Sequence, residues 1–305
     1  MSEKAFPDLA TVTPAEADAV RAAIAIPAHV VQAKGHGHGG TAMALGPLAH
    51  VLYQRILHHN PRNPHWLGRD RLVLSAGHAS LLLYVQLFLT GYGLELDELA
   101  KSRTLDSRTP GHPELGHTPG IEMSTGPLGQ GVASAVGMAL AARRERALFA
   151  PDNELLDTMT WVIAGDGCMQ EGVSGEASSL AGTLGLDNLV VIWDDNNVTI
   201  DSTGEAAFGE DVRARYIAYG WRVLQIDDAS NLDEIERVLT AAKSRDGRPT
   251  FVAVRSVIGA PSTKFSAKPA AHSGGFGDDD VAAIKTVLGF AADAPLDALI
   301  TGDGL

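Results

Sequence analysis

Apolar positions along this chain fall into two alternating rhythms. Residues 14 to 30 carry apolar side chains at helical spacing, opened by Thr13 and Pro14 with Glu16 one turn in, which predicts a capped helix. A glycine- and histidine-rich stretch, Gly35 to Gly40, separates it from a second helical pattern over Met43 to Leu57. Arg71 to Ser75 reads as a short strand and Ser80 to Leu89 as a buried helix. Residues 101 to 126 show little periodicity and many Pro, Gly and His, and a loop of that length inside a folded unit points to function. Gly129 to Phe149 predicts a helix whose first half is almost all small residues, so another backbone can approach it closely.

The rhythm then shortens. Thr158 to Ala164 and Leu189 to Trp193 are apolar, β-branched runs of buried-strand length, with a helix over Ser174 to Leu184 between them, ended by Gly185. Trp221 to Ile226 and Thr250 to Val257 predict two more strands around a helix from Leu232 to Lys243. Alternating strands and helices imply an α/β fold, a parallel sheet with right-handed crossovers and helices on both faces. Ligands of such sheets bind beyond the carboxyl ends of the strands. After about residue 258 the pattern loosens, and this tail is expected to wrap over the domain.

Composition narrows the classes of partner. Asp plus Glu outnumber Lys plus Arg by 37 to 24, a net charge of −13, which disfavours nucleic acid or an anionic membrane surface. Local binding of a small phosphorylated ligand by backbone amides and a metal ion stays open. Cys168 is the only cysteine, so there is no intramolecular disulfide and no zinc-ligand spacing. Neither a signal-type segment nor an apolar run of bilayer length occurs, and the expected location is the cytoplasm.

The sharpest chemical feature is Gly165-Asp166-Gly167, directly after the predicted strand ending at Ala164. Asn196 follows thirty residues on from Asp166, just after the next strand. One strand–helix–strand crossover should bring the two side chains to the same sheet edge. A carboxylate, an amide oxygen and a nearby backbone carbonyl form an oxygen-only set suited to Mg²⁺ or Ca²⁺. Mg²⁺ completes its shell with waters and phosphate oxygens, which leaves room for a diphosphate.

These residues resemble the thiamine-diphosphate-binding motif, and neighbouring segments resemble transketolases in particular. They are Gly77-His78, Thr109-Pro110-Gly111-His112-Pro113-Glu114, Thr125-Gly126-Pro127-Leu128-Gly129-Gln130-Gly131, Gly165 through Gly172, and Asp194-Asp195-Asn196, all in family order. The resemblance implies one diphosphate-binding module over residues 1–305. It implies a metal held by Asp166, Asn196 and the carbonyl of Val198, with Gly167 and His78 at the diphosphate. Gly126 and Leu128 would present backbone to the aminopyrimidine, and Ile200 would lie near the thiazolium. His112 would face the sugar, His38 and His272 would reach the reacting carbonyl and hydroxyls, and Glu171 would sit at a subunit contact. Histidine titrates nearest neutrality and suits proton transfer on sugar oxygens.

The implied activity is transfer of a two-carbon ketol unit from a ketose, expected to be phosphorylated, to an aldose. The family's pyrimidine-binding module has no counterpart here, so the expected partner is a separate C-terminal subunit in a two-plus-two heterotetramer. Two other readings stand beside this one: a subunit of a ketoacid dehydrogenase or synthase, and a non-catalytic scaffold. Gly39 stands where the family usually has proline, and Ala79 and Asn197 where it usually has glycine. His58, His59 and His65, set among Pro and Asn, read as surface residues, and Met43 and Met169 as core.

Overall fold

The structure, a computed structural model, describes residues 6–300; residues 1–5 and 301–305, the two ends of the expected module, lie outside the described part. Five parallel strands, β1 (Arg71–Leu74), β2 (Thr160–Gly165), β3 (Leu189–Asp195), β4 (Arg222–Ile226) and β5 (Thr250–Arg255), form one sheet in the order β1-β2-β3-β5-β4. The predicted strands are all present. Their ends move by one to two residues, and β3 runs on through Asp194 and Asp195 because both pair with β5.

Strand periodicity divides the core in two. Leu72, Leu74, Trp161, Ile163, Val190, Ile192, Val252 and Val254 face a layer built on the helices Pro14–Lys34, Ser80–Leu89, Leu232–Ala242 and Asp278–Val287. Their alternates Val73, Val162, Ala164, Val191, Trp193, Phe251 and Ala253 face Gln130–Phe149, Gly172–Leu184 and Val212–Ala218. Both faces are apolar because helices cover both, as in other parallel sheets.

The helix Pro14–Lys34 starts where the capping residues predict, with the Thr13 hydroxyl accepting from the Glu16 N–H at 3.2 Å, and it runs four residues further than expected, to a left-handed Gly35. The single helix predicted over Met43 to Leu57 is instead broken into Gly40–Ala44, Gly46–Val51 and a π-turn Leu52–Ile56. Pro47 accounts for the first break: it donates no N–H, and its ring crowds the carbonyl four residues back. The π-turn closes with the Leu57 N–H on the Leu52 carbonyl at 2.8 Å.

After Ser256 the chain folds back across the sheet's carboxyl edge. The Gly259 N–H donates to the Gly40 carbonyl at 3.0 Å and the Gly274 N–H to the Gly37 carbonyl at 2.9 Å. The helix Asp278–Val287 then packs on Pro14–Lys34. No helix among the described residues is long and apolar enough to cross a membrane.

Candidate functional site

The site follows from the register of β2 and β3. Gly165 pairs with Asp194, so Asp166 and Asn196 leave neighbouring strands at the same rim. A cleft of about 550 Å³ opens there, lined by His38, His78, His112, Gly126, Leu128, Asp166, Gly167, Asn196, Val198, Ile200 and His272. Of the site residues that the resemblance implies, Glu171 alone lies outside this lining. It is exposed, one residue before the helix Gly172–Leu184.

Asp166 opens a short helix, Asp166–Gln170, directly after β2. Its side chain is buried, and Oδ1 accepts from the Trp193 indole N–H at 2.8 Å. Oδ2 is buried with no hydrogen-bond partner among the described residues. Burial and then the neighbouring Asp194 push the Asp166 carboxyl up to about 7. An isolated carboxylate oxygen inside a protein is costly unless a cation or donor meets it.

Asn196 donates from Nδ2 to Asp194 Oδ2 at 2.7 Å, and its Oδ1 accepts from the Val198 N–H at 2.9 Å. This local loop puts Asn197 at φ 58, a left-handed conformation that asparagine tolerates, so glycine is not required there. No group of three or more His, Cys, Asp or Glu with metal-binding geometry occurs among the described residues. The Asp166 carboxylate and the Asn196 amide oxygen, with the Val198 carbonyl that the resemblance implies, would suit a hard cation that takes its remaining ligands from phosphate and water.

Gly167 is small for a reason the sequence did not show. A Cβ there would stand 2.7 Å from Leu128 Cδ1, so the glycine lets the Leu128 side chain close over the loop. Ile200 is 65% exposed, an apolar side chain with no protein to cover it.

Three imidazoles of the lining meet in one cluster. The His38 and His78 rings are 5.0 Å apart, His78 and His272 are 4.9 Å apart, and His38 and His272 are 5.4 Å apart, centre to centre. His112 lies at the mouth, exposed, beside Gly126. Burial, followed by the charges of His272 and its neighbours, lowers His78 to about 3 and His38 to about 4. Burial also lowers His272, and burial with Arg103 lowers His112. At neutral pH the trio is uncharged and offers ring nitrogens as proton acceptors. The buried Nδ1 of His38 has no partner among the described residues.

Gly39 adopts an ordinary helical φ of −85°. A Cβ there would meet the Phe276 ring at 2.8 Å, so the usual proline would collide with the returning tail. The expectation that His59 is a surface residue is corrected. Its ring is half-buried, with Nδ1 on the Tyr92 hydroxyl and Nε2 on the Tyr53 carbonyl, both at 2.9 Å. His58 and His65 are exposed, and Met43 and Met169 are buried. Sequence reasoning gave no role to Trp193, Asp194 or Ser256: Trp193 holds Asp166, Asp194 holds Asn196, and Ser256 holds Asp194; Asp194, two residues before Asn196, was the available signal.

Fold and site together define an α/β domain with a cleft at the carboxyl rim of its sheet, where domains of this architecture bind their ligands. The chain belongs to the transketolase family: the model for "Transketolase, thiamine diphosphate binding domain" matches residues 15–299. It is 49% identical over 290 residues to a transketolase of Mycobacterium bovis, covering 94% of this chain and 41% of that protein. It is 51% identical over 267 residues to one of Mycobacterium leprae, covering 86% and 38%. Among solved structures, a Pichia stipitis transketolase in complex with sedoheptulose-7-phosphate superposes with a TM-score of 0.90 at 40% identity, covering 94% of this chain and 43% of that one. The chain thus spans about two fifths of the length of the relatives it matches.

Proposed function

We propose that this chain is the thiamine-diphosphate- and Mg²⁺-binding part of a transketolase, moving a two-carbon ketol unit from a phosphorylated ketose to an aldose. The observation that carries the proposal is one cleft holding both the buried, unpartnered Asp166 Oδ2 and the neutral histidine trio. The volume is that of a small-molecule site. The donor set suits a diphosphate bound through Mg²⁺, with Ca²⁺ as an alternative.

Asp166, Asn196 and the Val198 carbonyl hold the metal. Gly167 and His78 face the diphosphate. Gly126 and Leu128 offer backbone to the aminopyrimidine, and Ile200 packs near the thiazolium. Bound thiamine diphosphate supplies the carbon nucleophile and the electron sink. His38 and His272 accept and return protons at the sugar's carbonyl and hydroxyl oxygens. They do so as neutral bases, because burial disfavours their charged forms. His112, at the mouth, orients the sugar. The phosphorylated-ketose assignment draws support from the sugar phosphate named with the Pichia stipitis enzyme.

The remainder of the enzyme is supplied by a separate pyrimidine-binding subunit in a cytoplasmic two-plus-two assembly. The exposure of Glu171, beside Gly129, and of the uncovered Ile200 supports a partner face there. Residues 1–305 then act as one diphosphate-binding module. The test is calorimetry with thiamine diphosphate and Mg²⁺, followed by a ketose–aldose transfer assay with the complementary subunit added. Binding plus transfer supports the reading. Binding without transfer from any ketose, but with turnover of a 2-ketoacid, would move the chain to another thiamine-diphosphate enzyme. No binding at all would leave a scaffold.

A further inference from the structure

Both side chains proposed as metal ligands are held by residues near the end of the same strand. Trp193 and Asp194 are neighbours on β3 and point to opposite faces of the sheet. On one face the Trp193 indole N–H occupies Asp166 Oδ1 at 2.8 Å, which leaves Oδ2 as the free oxygen. On the other, Asp194 Oδ2 accepts from Asn196 Nδ2 at 2.7 Å. The second oxygen of Asp194 accepts from the Ser256 hydroxyl, just past the end of β5. Asp194 is almost wholly buried, at 1% exposure.

An ionised carboxylate can only accept hydrogen bonds, so it dictates which end of the Asn196 amide turns toward it. The NH₂ must face Asp194, and Oδ1 must face away, where it meets the Val198 N–H at 2.9 Å and keeps a second lone pair. We propose that Asp194, braced by Ser256, is a positioning residue that fixes the Asn196 amide with its oxygen toward the divalent cation, while Trp193 does the same for Asp166. This rests on the metal site of the preceding section and deepens it. Residues that orient metal ligands in this way are worth roughly 10- to 100-fold in metal affinity.

Asp194→Asn is the discriminating variant. It keeps the shape but leaves one acceptor where the carboxylate had two, so the Ser256 hydroxyl and the Asn196 NH₂ compete for it. With that oxygen held by Ser256, the Asn196 amide meets an NH₂ and turns over, aiming its donor at the cation. Ser256→Ala frees the Asp194 carboxylate to rotate, and Ser256→Thr restores the hydroxyl. The experiment titrates Ca²⁺ into the purified full-length chain with thiamine diphosphate present, by calorimetry. Thermal unfolding without ions checks that each variant folds, and the Asn196 side-chain amide is followed by ¹⁵N NMR in the ion-free protein.

The expected result is affinity roughly 10- to 100-fold weaker for Asp194→Asn and a smaller loss for Ser256→Ala. Ser256→Thr should recover the parent value, and the Asn196 amide signal should shift in Asp194→Asn before any metal is added. Parent-like affinity in Asp194→Asn, or an unmoved Asn196 signal, overturns the inference and leaves the metal site standing. A parent chain that takes up no Ca²⁺ overturns both, a distinct outcome read from the wild type alone.

Discussion

Substituting alanine for Gly40 should pull the histidine trio apart. Gly40 opens the helix that follows His38, and its backbone lies against Ala271, the residue before His272. A Cβ at position 40 would stand 2.1 Å from the Ala271 carbonyl oxygen and 2.9 Å from its carbon. Both obstacles are backbone, so no side chain can swing aside, and the two segments must separate by about 1 Å. Overpacking of this kind costs about 1–3 kcal/mol, and a backbone obstacle argues for the upper end. At an unfolding entropy of about 2.1 cal/mol/K per residue, about 3 kcal/mol lowers the melting temperature of a chain of 305 residues by about 5 °C.

The assay is thermal unfolding by circular dichroism, with histidine ring NMR reporting on His38 and His272. Gly137→Ala is the control. No atom lies within 4 Å of a Cβ there, outside its own helix, so it should be neutral or gain up to about 1 kcal/mol from helix propensity. If Gly40→Ala melts within about 1 °C of the parent with unchanged histidine signals, the docking argument fails.

Four further outcomes are expected. Asp166→Ala should abolish metal-dependent binding of thiamine diphosphate, checked by calorimetry; wild-type affinity would remove the metal assignment. Unfolded histidines take up protons near 6.5 while folded His38 and His78 wait until about 4 and 3, so the stability they contribute is complete above pH 6.5 and is lost as pH falls through that window. Asp166 and Asp194, raised to about 7 and about 6, act oppositely: they favour the fold at low pH and lose that contribution as pH rises from 3.8. Urea unfolding between pH 4.5 and 6.5 should therefore show a shallower acid loss in a His38→Asn/His78→Asn double variant than in the parent, and equal slopes would refute the assignment. His59→Ala strands the Tyr92 hydroxyl and the Tyr53 carbonyl and should cost about 1–3 kcal/mol, against under about 0.5 kcal/mol for the exposed His65→Ala, both read by urea unfolding. The purified chain alone should show little or no ketol transfer in a coupled assay, and substantial turnover would dismiss the need for a second subunit.

The sheet was legible because its strands are buried on both faces, and runs such as Thr160–Ala164 and Leu189–Trp193 carry no competing period. Asp166 and Asn196 were legible for the same reason, since each stands at the end of such a run. What escaped notice depends on contacts between segments remote in sequence. Nothing local to Gly40 announces Ala271, and nothing around Ser256 announces Asp194. His59 lies in a run of Pro and Asn that suggests surface, yet two tyrosines from other segments close around it. The helices Val212–Ala218 and Asp278–Val287 were passed over because the first is two turns long and the second opens on three consecutive aspartates that resemble a loop. Their burial comes from packing on the rest of the fold rather than from a strong pattern of their own.

The two backbone hydrogen bonds tying Gly37 and Gly40 to Gly274 and Gly259 make a clasp, with His38 riding on one jaw and His272 on the other. Rings mounted this way share whatever breathing the jaws undergo. Sequence drift in the returning segment is therefore never local: a change that loosens one jaw reaches the other imidazole at once, although more than two hundred residues separate them along the polypeptide.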